Sequence, residues 1–299
     1  MRLHLVDGTF ELYRAHFAPR PGRTAVLEGH EVDVKATGGL VASMLALMHD
    51  PDERVTHLAI AFDNPIRSFR NDLFVGYKSD EGVPPELRAQ FDLAEEAMRA
   101  LGVVVWSMDR YEADDALATA ATRFAPLVEQ VRILTPDKDL GQVVSGQSVV
   151  QVDRIRKRVL DEDAVRAARG VAPASVPDLL ALTGDPSDGI PGLPGFGPKS
   201  AATLLARYGT IEAIPDDASA WDVRVVGAPR LAATLAARRG DARLYKELAT
   251  LARDVPLGES LADLELHGVP RGDFAALCER LGLRDLAPRP TRWRDPGAA

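Results

Sequence analysis

Cysteine is nearly absent. One thiol, Cys278, stands in 299 residues, so no internal disulfide can form and the chain suits a reducing compartment, with the thiol as a core residue. Histidine is sparse: six residues are scattered along the chain, and no Cys/His spacing points to zinc. No run of 18 or more apolar residues occurs, so no membrane span is expected. The opening MRLHLVDGTF reads as a strand and lacks the regions of a signal peptide. Lysine is scarce, six against 30 arginines, and alanine is abundant, a bias that suggests a GC-rich bacterial genome. Positive charge falls short overall, with a net charge of -8. That lowers the expectation of a nucleic-acid partner, because phosphate binding normally shows as a basic surface. Net charge is a sum, however, and carboxylates gathered at one metal site would leave the remainder free to carry a basic face.

What is present in quantity is apolar sequence, 46% of the chain, enough for one large domain or two modest ones. The first half alternates. Strand-like runs LHLV (3–6), VTHLAIAF (55–62), VVVW (103–106), VRILT (131–135) and SVVQV (148–152) are separated by helical patterns over 34–48, 85–102 and 113–124. This predicts an α/β fold, a mostly parallel central sheet flanked by helices. From about Val171 only short helical patterns follow, so a helical domain is expected there, with a flexible tail at 289–299.

Acids cluster where strands end. Asp7 follows LHLV and Asp63 follows LAIAF. Glu112, Asp114 and Asp115 open the helix after VVVW. Asp137 and Asp139 follow VRIL, and Asp185 and Asp188 sit in GDPSD. Singly, each is explained as a helix cap or a solvated turn. Jointly they converge, because the carboxyl ends of parallel strands share one edge. So many carboxylates in one place repel unless a cation reverses the local charge. All-oxygen donors select hard ions such as Mg²⁺ or Mn²⁺. A pair of such ions, roughly 3.5–4 Å apart, serves in-line displacement at phosphorus, the chemistry of a nuclease or phosphodiesterase. The loop LPGFGPKSAATLL adds Gly195 and Gly197, which let amides approach a phosphate, a helix N-terminus near Pro198, and the charge of Lys199.

The motifs LVDGTFELYRAHFA, AFDNPIRSFRNDLFVGYKS, YEADDALA, ILTPDKDL and LTGDPSDGIPGLPGFGPKSAATLL together resemble the 5′ nucleases, the family of the 5′–3′ exonuclease domain of bacterial DNA polymerase I and its flap endonuclease relatives. The similarity runs from about residue 2 to 285, with no polymerase region after it, as in a free-standing member. It implies a PIN-like nuclease domain over 1–172 with a helical arch near 64–95, and a helix–two-turn–helix domain over 173–288. It implies two divalent ions, with Asp7, Asp63 and Asp114 nearer one and Glu112, Asp137, Asp139 and Asp188 nearer the other, and Asp115 and Asp185 completing the set. Arg70 and Lys78 match arch residues that contact the scissile phosphate. Tyr77 matches an aromatic for base stacking, with core packing as its alternative. The loop from Gly192 to Lys199, including Gly195 and Gly197, matches the duplex-gripping motif, which in relatives holds a monovalent cation such as K⁺.

The expected activity is hydrolysis of phosphodiester bonds at 5′ ends or flaps of branched or nicked DNA, with RNA primers as further substrates. The protein is expected as a monomer in the bacterial cytoplasm, at the nucleoid and with no membrane partner. A structure-specific DNA-binding protein with little turnover is the alternative, and a different metal-dependent phosphohydrolase a more distant one. Two positions depart from the family pattern. Glu81 stands where an arginine is expected, and Gly189 where an asparagine is expected. Both bear on DNA affinity and not on the metal ligands.

Overall fold

Each of the five apolar runs becomes a strand in a computed structural model of the chain, which describes residues 1–294. The strands are β1 (Arg2–Asp7), β2 (Thr24–Leu27), β3 (His30–Asp33), β4 (His57–Asp63), β5 (Val104–Met108), β6 (Gln130–Leu134), β7 (Val149–Asp153) and β8 (Arg158–Leu160). The helices are α1 (Gly8–Phe17), α2 (Lys35–His49), α3 (Arg70–Leu73), α4 (Pro85–Arg88), α5 (Phe91–Ala100) and α6 (Ala113–Phe124). They continue as α7 (Glu162–Arg169), α8 (Val176–Thr183), α9 (Pro198–Tyr208), α10 (Ala228–Ala237), α11 (Arg239–Ala249) and α12 (Arg271–Arg280). Among the described residues no helix is long and apolar enough to cross a membrane.

The chain forms two compact units. The first comprises residues 1–66, 80–134 and 254–299, and the second 67–79 and 135–253. In the first, β1 lies between β4 and β6, with Leu5 opposite Ala59 and Ile133, and β5 continues beyond β4. All three pairings are parallel. Every residue of β4 is buried, as expected of a strand covered on both faces. The connection from β1 into α1 is tight: a Cβ on Gly8 would lie 2.7 Å from the Ala61 carbonyl oxygen and from the Phe62 ring. Only glycine fits the Asp7–Gly8 turn, and that closeness sets α1 against β4. The third stretch of this unit supplies α12, whose Phe274, Leu277 and Cys278 are buried. A Cβ on Gly38 of α2 would sit 3.0 Å from Leu283, Arg23 pairs with Asp285 at 2.9 Å, and Arg280 pairs with Glu96 of α5. Burial raises the Cys278 thiol to about 11, so it is an inert core group.

The second unit pairs β7 and β8 antiparallel and buries one core drawn from α8, α9, α10 and α11. Two features differ from the sequence reading. A β2–β3 hairpin joins α1 to α2, built by alternating TAVLEGHEVD around a turn at Glu28–Gly29. The helix expected over 85–102 breaks between α4 and α5, where the buried Gln90 side chain accepts the Thr37 amide at 3.1 Å and donates to the Glu86 carbonyl at 3.0 Å. Within the span expected as the arch, residues 67–79 group with the second unit and 80–95 with the first. The compact units also do not divide the chain at residue 172, since β7, β8 and α7 group with the later helices and α12 returns to the first unit. The tail expected over 289–299 lies in part outside the described residues.

Candidate metal centre

Parallel register brings the first unit's acids to one edge. Asp7 closes β1 opposite Ala61, and Asp63 closes β4 opposite Met108. Backbone amides hold them there. Asp7 Oδ1 accepts the Phe10 N–H at 2.8 Å and caps α1. Asp63 Oδ1 accepts the Ala113 N–H at 2.8 Å, tying the end of β4 to the start of α6, and the Asp63 amide donates to Thr9 Oγ1 at 2.8 Å. At the start of α6, Asp115 Oδ2 accepts the Glu112 N–H at 2.9 Å. The capping explanation therefore describes Asp7 and Asp115, while Asp114 in the first turn is half-buried.

The second unit gathers the other four acids differently. Oxygens of Asp139, Asp185 and Asp188 all lie within 4.8 Å of one another. Asp137 is exposed beside them, and its Oδ1 accepts the Asp139 N–H at 2.9 Å. Asp139 is 4% exposed, and its Oδ1 is buried with no hydrogen-bond partner. Burial, and then the charges of Asp137, Asp188 and Asp185, raise its carboxyl well above the usual range, with Lys138 acting against them. Asp185 is 1% exposed. Its Oδ1 accepts the Ser187 amide at 3.1 Å and hydroxyl at 2.5 Å, and its Oδ2 takes the Lys138 ammonium at 2.6 Å. Asp188 pairs with Lys78 at 3.3 Å, and its carbonyl accepts the Lys78 N–H at 3.0 Å. An orphaned buried carboxylate oxygen beside two further acids is what a hard cation would satisfy, so the residues fit a divalent ion.

Two buried amides that sequence reasoning missed fix this turn. Gln142 Nε2 donates to the carbonyls of Asp139 and Ala249, both at 3.0 Å, while its Oε1 accepts the Leu251 N–H at 3.0 Å. Gln151 in β7 donates to the carbonyls of Thr135, at 3.0 Å, and Asp137. The only available signal was a glutamine within an apolar run.

Arg70, Tyr77 and Lys78 all fall in the second unit. Arg70 is 0% exposed; its Nε donates to the Leu248 carbonyl at 2.8 Å and its Nη2 to the Thr250 carbonyl at 2.9 Å. It satisfies carbonyls left open at the end of α11. Tyr77 is 5% exposed and packs within the second unit's core, the arrangement of its packing alternative. Lys78 stands at Asp188 as described. The departure at Gly189 has a backbone cause: its φ is +74°, and a Cβ there would lie 2.0 Å from the Gly76 carbonyl oxygen.

In the loop from Gly192 to Lys199, Gly192 and Gly195 have φ of +72° and +88°. Gly197 does not share this need. Its φ is -106° and a Cβ would meet nothing within 4 Å. Its N–H donates to Ser200 Oγ at 3.0 Å. Lys199 is exposed in the first turn of α9.

The fold is a parallel sheet with acids at its carboxyl edge, with a second acid group fit for a hard ion and a Gly-rich loop before a helix, the layout of a nuclease class. Residues 2–170 match the family model of the 5′–3′ exonuclease N-terminal resolvase-like domain, and residues 171–271 that of the 5′–3′ exonuclease C-terminal SAM fold. The chain belongs to the 5′–3′ exonuclease family. It is 34% identical over 292 residues to DNA polymerase I of Bacillus caldotenax, across 95% of this chain and 32% of that protein. It is 31% identical over 280 residues to a 5′–3′ exonuclease of Aquifex aeolicus, across 93% of this chain and 90% of that one. The chain thus spans about a third of the DNA polymerase I relative. In fold it resembles the flap endonuclease of bacteriophage T5, solved with DNA and metal ions, at a TM-score of 0.64 and 17% identity over 94% of this chain and 100% of that one.

Proposed function

We propose that this protein is a divalent-metal-dependent 5′ nuclease that hydrolyses phosphodiester bonds in DNA, acting as a 5′–3′ exonuclease and a 5′-flap endonuclease. The observation that carries the reading is Asp139, a buried carboxylate with an unpartnered oxygen, among Asp185 and Asp188. Asp7, Asp63, Glu112, Asp114, Asp115, Asp137, Asp139, Asp185 and Asp188 are the proposed ligand set for two ions, Mg²⁺ or Mn²⁺. When bound, such ions lower the pKa of a water and neutralise charge on the phosphate. The chain's residues supply the rest. The acids orient the ions, Lys78 offers an ammonium to a phosphate oxygen once it leaves Asp188, and the loop from Gly192 to Lys199 presents backbone and Lys199 to a duplex phosphate, with K⁺ as the proposed monovalent occupant. The functional division is proposed near residue 172, the substrates as branched, nicked or flapped DNA and RNA primers, and the working form as a monomer in the cytoplasm.

A 5′-labelled flap duplex incubated with Mg²⁺ or Mn²⁺, and then with EDTA, tests the proposal. Release of labelled 5′ products that stops with EDTA is expected. Tight, structure-dependent binding without any product would replace the nuclease by the DNA-binding alternative.

A further inference from the structure

Two of the three clustered acids of the second unit have a cation in contact: Lys138 on Asp185 and Lys78 on Asp188. Asp139, the most deeply repelled of them, has none. A third cation lies nearby in Arg169, the last residue of α7. Its side chain crosses Gly141, two residues beyond Asp139, where a Cβ would lie 3.4 Å from its Nε and 4.0 Å from its Nη2. Arg169 Nε is buried without a hydrogen-bond partner. Burial lowers its pKa, and the charges of Asp139, Asp137 and Asp185, in that order, oppose the fall. A guanidinium normally secures its forked donors on a carboxylate or carbonyls. Leaving one buried and unsatisfied is unfavourable unless a surrounding field offsets it. Here the field comes from the acids themselves.

We propose that Arg169 is a built-in counter-charge to the Asp139 group. It holds the acids together in the ion-free protein, and it sets a ceiling on how tightly they take a divalent ion. It is a positioning residue and touches no substrate. The inference rests on the reading above that this group receives a divalent ion. An arginine that serves only as packing and one that serves as a counter-charge predict opposite signs. Losing a packing residue loosens the group and weakens ion binding. Losing a counter-charge removes a like charge from the ion's vicinity and tightens binding.

The experiment uses the whole protein with Arg169→Met, which keeps much of the bulk, Arg169→Gln as a second neutral variant, and Arg169→Lys. Mn²⁺ binding is measured by calorimetry, and melting temperature in EDTA and in saturating Mn²⁺. The neutral variants are expected to bind Mn²⁺ at least about fivefold more tightly. They should melt lower in EDTA and regain most of that loss in Mn²⁺. Arg169→Lys should stay near wild type in both. Weaker or unchanged Mn²⁺ affinity, an equal melting loss with and without the ion, or a lysine variant that behaves like the neutral ones would overturn the counter-charge role. A wild-type protein that binds no Mn²⁺ would instead sink the metal reading itself, which separates the two failures.

Discussion

Backbone amides hold carboxylates in both units, and in the second unit lysine ammonium groups are added to them. Asp7, Asp63 and Asp115 each accept a backbone N–H at 2.8 to 2.9 Å. Asp185 and Asp188 take Lys138 and Lys78, and Asp139 is left without a partner for Oδ1. A backbone donor comes with the fold and stays when an ion arrives, since each carboxylate keeps further lone pairs. A lysine on a flexible stem can be exchanged for an ion. The second group therefore carries, beyond its amide donors, partners that an arriving ion can displace.

The sharpest way to break this contrast is to remove one acid from each group. Asp63→Ala and Asp139→Ala should both cut flap cleavage by at least about a hundredfold, more than partners of metal ligands are worth, with DNA binding largely kept. Their stabilities should diverge. Asp63→Ala strands the buried Ala113 N–H and should lose about 1–3 kcal/mol, whereas Asp139→Ala removes a repelled charge and should melt no lower than wild type in EDTA. Equal melting losses would erase the distinction.

Lys138→Met should come next. It leaves Asp185 buried and unpaired, for a loss of about 1–3 kcal/mol in EDTA after allowance for the exposure of the lysine. Saturating Mn²⁺ should restore most of it. Identical melting losses in both conditions would mean that the lysine is a fixed strut and not an exchangeable one.

Arg70→Met tests the expected arch role of Arg70. Two carbonyls at the end of α11 would lose their donors, lowering stability by about 1–3 kcal/mol, with KM on flap DNA little changed. An unchanged melting temperature with a raised KM would return Arg70 to the phosphate.

Glu81→Arg should have the smallest effect. Residue 81 is exposed, so the gain in KM at low salt should fade as salt rises, with one added phosphate contact steepening the salt slope by roughly 0.7 to 0.9. Superimposed slopes for wild type and variant would show that this segment does not face the strand.

The strands and the acids at their ends were legible because strands covered on both faces read as unbroken apolar runs, and the residue after such a run sits at the sheet's carboxyl edge. Asp7, Asp63 and the start of α6 needed no more than that. The supports were not legible. Gln142 bonds to Leu251 and Arg70 to Leu248, more than a hundred positions away, and no local pattern announces such a partner. Arg169 sits in a run of charged and small residues that reads as a solvated helix end. Arg70 and Tyr77 matched a family motif, but a motif fixes residue identity and says nothing of which surface the segment lies on. Of the two glycines in the Gly-x-Gly spacing, Gly195 takes the positive φ and Gly197 does not, and the spacing alone does not tell which one makes the turn.

The first unit is assembled from three separate stretches, and the last to be synthesised carries α12. All nine acids of the proposed ligand set lie at or before residue 188 and are synthesised before the helix that buries Phe274 and brings Leu283 to Gly38. Its contacts with α2 and α5 close over long sequence separations, which makes them late events in folding. A nascent chain halted at residue 253 would hold all nine carboxylates on an unfinished scaffold. The order of synthesis thus withholds the complete first unit until α12 has emerged.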